Sequence, residues 1–352
     1  PRSPTARSCR DAARGRSAVA APRTLRHMPL DARRLAFQSV ATMVALRLGF
    51  LTMQALVRRR RRGVARSVFG DARAEYFNGG EASIAAVLGP ASARGLQVIF
   101  DFDRTLTASN SSQCHDGLRR VDDAALAAAL EPYWRFGDAG GPPPIRGRPM
   151  RSWWDDVHGL LATHGVTMAA LEAADAKDPA VLRTGAAAAL RELRRLGVPT
   201  LVVSAGLEHV ILGALARAGF DDAAPALDGG GGHEGIKVLA NRLITNDDGV
   251  VVGAFPEEPV HSGNKRDAYG RLPAYFAATG AADARRLLVL GDSVGDAAVG
   301  AAVPKACGAA VGFFDPASPW GTRASFEAAY DVLLPADGGL GWLAETLAAK
   351  AS

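Results

Sequence analysis

The sequence predicts an α/β protein: a Rossmann-like, doubly wound parallel sheet with an inserted helical cap. Three apolar runs, Leu96 to Phe102, Pro199 to Val203 and Arg286 to Leu290, read as buried strands that close on small or acidic residues. Segments of helical period alternate with them, as parallel crossovers require. About 90 residues lie between Thr107 and Pro199, whereas a crossover needs only about a dozen. The excess predicts the cap.

Taken in order, the folded region is expected from Tyr76 onward. Ser83 to Leu88 reads as a short helix, and Gly95 punctuates before the first strand. A polar loop, Ala108 to Gly117, leads to an Ala/Leu-rich helix from Asp122 to Leu130, whose two leading Asp residues suit a helix N-terminus. Gly137 to Pro149 holds four Pro and four Gly and reads as a loop. Helical periods return over Met150 to Leu161, around Leu171, and from Ala186 to Leu196. Leu207 to Ala218 follows the second strand as a helix. Val238 to Leu243 and Val250 to Phe255 flank Asn246-Asp247-Asp248-Gly249, a hairpin signal. The tail is expected to add one strand, Asp331 to Leu334, and a closing helix. This divides the chain into an arm, 1–75, and a domain, 76–352, whose core is 76–107 with 199–352 and whose cap is about 108–198.

Charge separates arm from body. Residues 1–75 carry 17 Arg, no Lys and four acids, so the overall +5 conceals a basic arm and an acidic remainder. An acidic body argues against nucleic acid on the folded domain. The five arginines from Arg58 to Arg62 have no interleaved aromatics to stack bases. Leu35 to Val57 is apolar and long enough to span a bilayer, but Arg47 near its centre disfavours this. The arm reads as a targeting presequence, a signal anchor, or a solvated or untranslated extension, and contact with a membrane or import machinery would run through it. Cys9, Cys114 and Cys307 show neither CxxC spacing nor an even-numbered framework, which excludes a zinc knuckle or disulfide scaffold.

The chemistry gathers where the apolar runs stop. The first ends in Asp101 and Asp103, the second in Ser204-Ala205-Gly206, and the third in Gly291-Asp292-Ser293-Val294-Gly295-Asp296, with Asn264-Lys265-Arg266 arriving before it. Each alone has a plain structural reading: a helix cap, a tight turn, a loop. Together, at equivalent strand ends of an open sheet where ligands bind, they point to one site.

These motifs, DxDxT, a strand-terminal Ser, a Lys and GDSxxD, resemble the haloacid dehalogenase superfamily of phosphohydrolases. DFDRTLT, SAGLEHVI, Ala240-Asn241, GNKRDA and LLVLGDSVGD resemble more narrowly its cytosolic 5′-nucleotidase III family, as do Cys114-His115, Trp153-Trp154, Leu182-Arg183-Thr184-Gly185 and Tyr330-Asp331-Val332-Leu333. The resemblance implies a phosphatase of nucleoside 5′-monophosphates that uses Mg²⁺ and acts as a monomer, in the cytoplasm or an organelle. It implies Asp101 as nucleophile and Asp103 as acid and base. Asp101, the Asp103 carbonyl and Asp292 are expected as metal ligands, and Ser204, Ala205, Gly206 and Lys265 as phosphate holders. Asp296 either orients Lys265 or a metal-bound water, or caps a helix. On the base side the resemblance points to Phe136, Trp154 and Val157, with His115 a further contact and Asp138 or Asp156 as substitutes. Trp154 could equally be core packing.

Two alternatives stand beside this reading. One is a capped phosphatase for another small ester such as phosphoserine or phosphocholine. The other is an inactive phosphate-binding or tethered scaffold, against which the retention of both first-motif acids, the Lys and both GDSxxD acids argues.

Overall fold

A computed structural model of the chain describes residues 68–69, 73–134, 151–228, 235–302, 307–318 and 321–351. Its sheet runs in the order β1-β9-β8-β7-β2-β3-β5-β4, with β6 paired to β5. The strands are β1 (Glu75–Tyr76), β2 (Leu96–Phe100), β3 (Thr200–Leu207), β4 (Ala224–Pro225), β5 (Ile236–Thr245), β6 (Val251–Phe255), β7 (Arg286–Gly291), β8 (Cys307–Phe314) and β9 (Val332–Pro335). Pairing is parallel except at β1–β9 and in the β5–β6 hairpin.

The central strands are apolar throughout because both faces are covered. Val98, Phe100, Val202 and Leu288 join the larger core, while the alternate residues Ile99, Leu201, Leu287 and Val289 pack with Tyr269 and Tyr275 on the other side. The chain leaves β2 for β3 on one side and returns through β7 on the other. This reversal is the switch point at which doubly wound sheets open a crevice.

The described helices are α1 (Gly80–Leu88), α2 (Ala124–Trp134), α3 (Ser152–Thr163), α4 (Met168–Ala176), α5 (Ala186–Arg195), α6 (Glu208–Arg217), α7 (Lys265–Gly270), α8 (Pro273–Thr279), α9 (Val294–Ala297), α10 (Arg323–Ala329) and α11 (Gly341–Ala348). Asp123 accepts the main-chain N–H of Ala125 and Leu126 and so starts α2. α2 to α5 all fall between β2 and β3. α3 packs on β6 and α5 on α11. The hairpin turn forms as expected, with Asn246 Oδ1 accepting the N–H of Asp248 and Val250.

Two expectations need correction. The first strand stops at Phe100, two residues early, because Asp101 onward turns out of the sheet. The tail contains a strand that its composition conceals: β8, Cys-Gly-Ala-Ala-Val-Gly-Phe-Phe, lies between β7 and β9. Gly and Ala are poor strand formers, but Gly312 is needed there. A Cβ on it would come within 2.9 Å of the Tyr330 ring and 2.8 Å of Leu333. Leu35 to Val57 and Gly137 to Pro149 lie outside the described residues. Among the described residues no helix is long and apolar enough to cross a membrane.

Candidate active site

β3, β2 and β7 are adjacent, so Ser204, Asp101 and Asp292 emerge side by side. The Asp101 N–H donates to Leu290 O at 2.9 Å, which anchors the first acid to β7 before the chain turns. The turn over Phe102–Leu106 then bends sharply, and Arg104 adopts a left-handed φ of 58°. For a non-glycine residue this conformation is strained. Arg104 N–H donates to Thr107 Oγ1 at 2.8 Å, and Asp103 Oδ1 accepts the Cys114 N–H at 3.0 Å.

On the second strand the pairing with β5 shifts register between Val203 and Leu207. Ser204, Ala205 and Gly206 therefore bulge from the ladder. The Gly206 N–H donates to Ser204 Oγ at 3.0 Å, leaving the hydroxyl proton free to donate elsewhere. A side chain at 206 would come within 2.4 Å of Cys114 Sγ, so only glycine fits.

Lys265, the first residue of α7, donates to Asp101 Oδ1 at 2.5 Å and to Asp296 Oδ1 at 2.6 Å, and all three side chains are buried. Burial would lower the Lys265 ammonium, but the two carboxylates outweigh it and raise it. Burial lifts Asp101 to about 6, opposed by Lys265, and lifts Asp103 to about 7 with help from the Asp101 charge. Burial, then Asp101 and Asp296, hold Asp292 well above the usual carboxylate range.

Asp296 fills both roles that its motif suggested. Oδ1 takes Lys265, while Oδ2 accepts the N–H of Asp292 and Ser293 and the Ser293 hydroxyl, forming a capping box at α9. Asp101, Asp292 and Asp296 offer oxygens within 4.8 Å of one another, a grouping suited to a metal ion. With Asp296 committed, Asp101 and Asp292 are the carboxylates with ligand capacity to spare. Three carboxylates against one ammonium leave two surplus negative charges when ionised, which one divalent cation would balance.

Residues that sequence reasoning gave no role complete the frame. Asn241 donates to Ala205 O (2.8 Å) and Val260 O (2.9 Å) and accepts the Val260 N–H (2.8 Å), joining the Ser204 turn to the segment before Lys265. Asn264 accepts the His261 N–H and donates to Pro259 O. Tyr330 Oη donates to Ser293 O at 2.5 Å. Their only sequence signal was membership of the quoted runs.

The base-side residues scatter more. Trp154 is buried, and its Nε1 donates to Ala205 O at 2.8 Å, tying α3 to the phosphate turn. Its ring lies 5.5 Å from that of His261. Val157 is fully buried with Leu130 and Leu161. His115 Nε2 is 3.3 Å from His158 Nε2. Tyr133 donates to Asp156 at 3.1 Å. Phe136 and Asp138 lie outside the described residues.

The model of the pyrimidine 5′-nucleotidase (UMPH-1) family matches residues 146–349, more than half of the chain. This chain belongs to that family. Asp101 and Asp103 precede the matched range, and the sheet brings them to the Lys265 and Asp292 that lie inside it. The chain is 28% identical over 223 residues to a 7-methylguanosine phosphate-specific 5′-nucleotidase of Drosophila melanogaster, covering 59% of this chain and 65% of that one. A protein of the same description from Gallus gallus is 24% identical over 255 residues, covering 69% and 83%. The crystal structure of cytosolic 5′-nucleotidase IIIB bound to cytidine superposes with a TM-score of 0.60 at 21% identity, covering 78% of this chain and 93% of that chain. The likeness is one of fold, and it is the haloacid dehalogenase-type α/β fold that the family implies.

Proposed function

We propose that this chain is a Mg²⁺-dependent phosphatase that hydrolyses nucleoside 5′-monophosphates to nucleoside and phosphate through an aspartyl-phosphate on Asp101. The convergence of Asp101 and Asp292, at adjacent strand ends, with Lys265 at the start of α7 carries this reading, and family membership supplies the substrate class.

The oxygen donors suit a hard cation that takes one or two carboxylates. Asp101, Asp292 and the Asp103 carbonyl would hold Mg²⁺. When bound, it neutralises charge so that an anionic carboxylate can meet a phosphate dianion. A carboxylate oxygen of Asp101 forms a bond to phosphorus as the bond to the ribose 5′-oxygen breaks, and that oxygen takes its electron pair and the Asp103 proton. Asp103, now ionised, removes a proton from water as its oxygen bonds to phosphorus and the phosphorus–Asp101 bond breaks. Phosphate leaves and Asp103 is protonated again. The raised Asp103 suits it to both halves. Lys265, the Ser204 hydroxyl and the Ala205 and Gly206 N–H groups would hold the phosphate oxygens, Gly206 by giving up its bond to Ser204.

α2 to α4 are read as the cap, with His115 and Trp154 the candidate base contacts; Val157, fully buried with Leu130 and Leu161, offers a base no surface. α5, lying on α11, belongs with the core. The targeting or anchoring arm, expected over residues 1–75, is read as ending before Val68, because Val68 and Phe69 are buried in the core and Glu75 pairs with Leu333 in the sheet. Fusing residues 28–75 to a fluorescent protein tests this, and a uniformly cytosolic signal would remove it.

The decisive test measures phosphate release by the full chain from CMP, UMP, AMP, 7-methyl-GMP, phosphoserine and phosphocholine. Release from a nucleotide with Mg²⁺, lost with EDTA, is expected. Turnover confined to phosphoserine or phosphocholine would replace the nucleotide reading. No release from any ester would sink both.

A further inference from the structure

Arg183 is a buried cation without a carboxylate contact among the described residues. Its guanidinium lies 3.9 Å over the Phe313 ring and donates only to main-chain carbonyls: Thr105 O at 2.8 Å, Ala336 O at 2.5 Å, Gly338 O at 2.6 Å, and Arg104 O. Two acceptors belong to the strained turn that follows Asp103. The other two lie in the loop after β9.

The surrounding backbone explains how Arg183 reaches them. Thr107 and Leu182 form an antiparallel bridge, Ala108 N–H donates to Val181 O, and Arg183 N–H donates to Leu106 O. The chain entering and the chain leaving the helical segment are thus stitched together beside the first motif. Arg104, left-handed, is gripped on both sides, with its N–H on Thr107 Oγ1 and its carbonyl on Arg183. A conformation costing about 1–3 kcal/mol persists only where neighbours over-determine it. Serving four carbonyls at once needs the planar fork of arginine, because a lysine ammonium presents its three donors from one atom.

We propose that Arg183 is the positioning residue of the first motif, fixing the Arg104–Thr105 main chain so that Asp103 stays aimed at the leaving oxygen. This rests on the reading of Asp103 as general acid. If it holds, weakening Arg183 should hurt esters whose leaving group needs a proton and spare those whose leaving group does not.

The experiment compares kcat/KM for the best nucleoside 5′-monophosphate with that for its 5′-thio analogue, in which sulfur bridges C5′ and phosphorus and leaves as thiolate. Arg183→Lys and Arg183→Gln are expected to lose roughly 10²-fold on the oxygen ester and far less on the sulfur ester, while still melting cooperatively. Equal losses on both, or no loss, would overturn the proposal. Should both variants fail to fold, Thr107→Val releases the other side of the same turn and must show the same selective loss; a uniform loss or none would overturn the proposal there too. Asp103→Asn separates the two readings. If it loses both esters equally, the acid role of Asp103 falls and the proposal with it. If it is selective and the Arg183 variants are not, only the positioning role falls.

Discussion

Nζ of Lys265 stands 2.5 Å from Oδ1 of Asp101, with both side chains removed from water. A buried pair of this kind contributes little net stability, yet removing one partner strands the other. Lys265→Met would leave Asp101 and Asp296 without their cation, so a loss of about 3–5 kcal/mol in urea unfolding is expected. Turnover should fall roughly 10²–10³-fold as a phosphate-facing charge disappears. Asp101→Asn should abolish phosphate release and keep the fold. Full activity in either variant would remove the residue it changes from the chemistry.

Asp292 faces Asp101 with no hydrogen-bond donor to its carboxylate among the described residues. Asp292→Asn should raise the Mg²⁺ concentration for half-maximal turnover by roughly 10–100-fold or more. It should also erase the rise in melting temperature expected of the parent protein on adding Mg²⁺. An unchanged Mg²⁺ response in both measurements would place the metal elsewhere.

His158, 3% exposed and 3.3 Å from His115, is lowered by burial to about 4, only partly opposed by Asp155. Burial, then His158 and His209, also lower His115. Both stay neutral in the folded protein while the unfolded chain binds protons below about 6.5. The unfolded state then holds more protons, so stability falls as pH drops from about 6.5 toward 4, at about 1.4 kcal/mol per unit for each group. The raised carboxyls of Asp101, Asp103 and Asp292 act in the opposite sense over the same window, so the slope is read as a difference: chemical denaturation of the parent and of His158→Gln should diverge across it, the variant losing less stability as pH falls. An unaltered slope in the variant would count against the buried pair as its source.

The Tyr330 hydroxyl is held by Ser293 O, within the loop that carries Asp292 and Asp296. Tyr330→Phe keeps the ring against Phe326 and Gly312 but leaves that carbonyl with the Asp296 N–H alone, at 3.1 Å, for an expected loss of about 0.5–1.5 kcal/mol. Turnover should fall as well, because the loop sets the Asp292 carboxylate, the proposed metal ligand. Loss of stability with kcat intact would confine Tyr330 to packing.

Much of the architecture was legible because buried parallel strands have few compositional options. The runs ending at Phe102, Val203 and Leu290 read as core strands, and the acids at the ends of the first and third stood out by their desolvation cost. β8 was not legible. Its Gly and Ala residues are chosen by the neighbours they meet, Tyr330 above all, and that contact spans the gap between Gly312 and a ring 18 positions on.

Within the site, the residues proposed to act on substrate carried their own signal, since carboxylates and a serine at strand ends and a lysine at a helix start are chemically conspicuous. Those that hold them did not. Arg183 reads as the residue before a helix, and Asn241 as one polar residue in a hairpin. Their work is done on main-chain carbonyls, which every residue possesses and no sequence pattern marks.

By itself, then, the sequence determined the fold class, the three core strands and the chemical character of the residues that follow them, because burial and charge are written in composition and period. Tertiary structure decided which strands are neighbours, that Asp296 serves Lys265 and a helix cap together, and that Arg183 grips the turn behind Asp103. These are distances between segments far apart in the chain, and only the closed sheet makes them short.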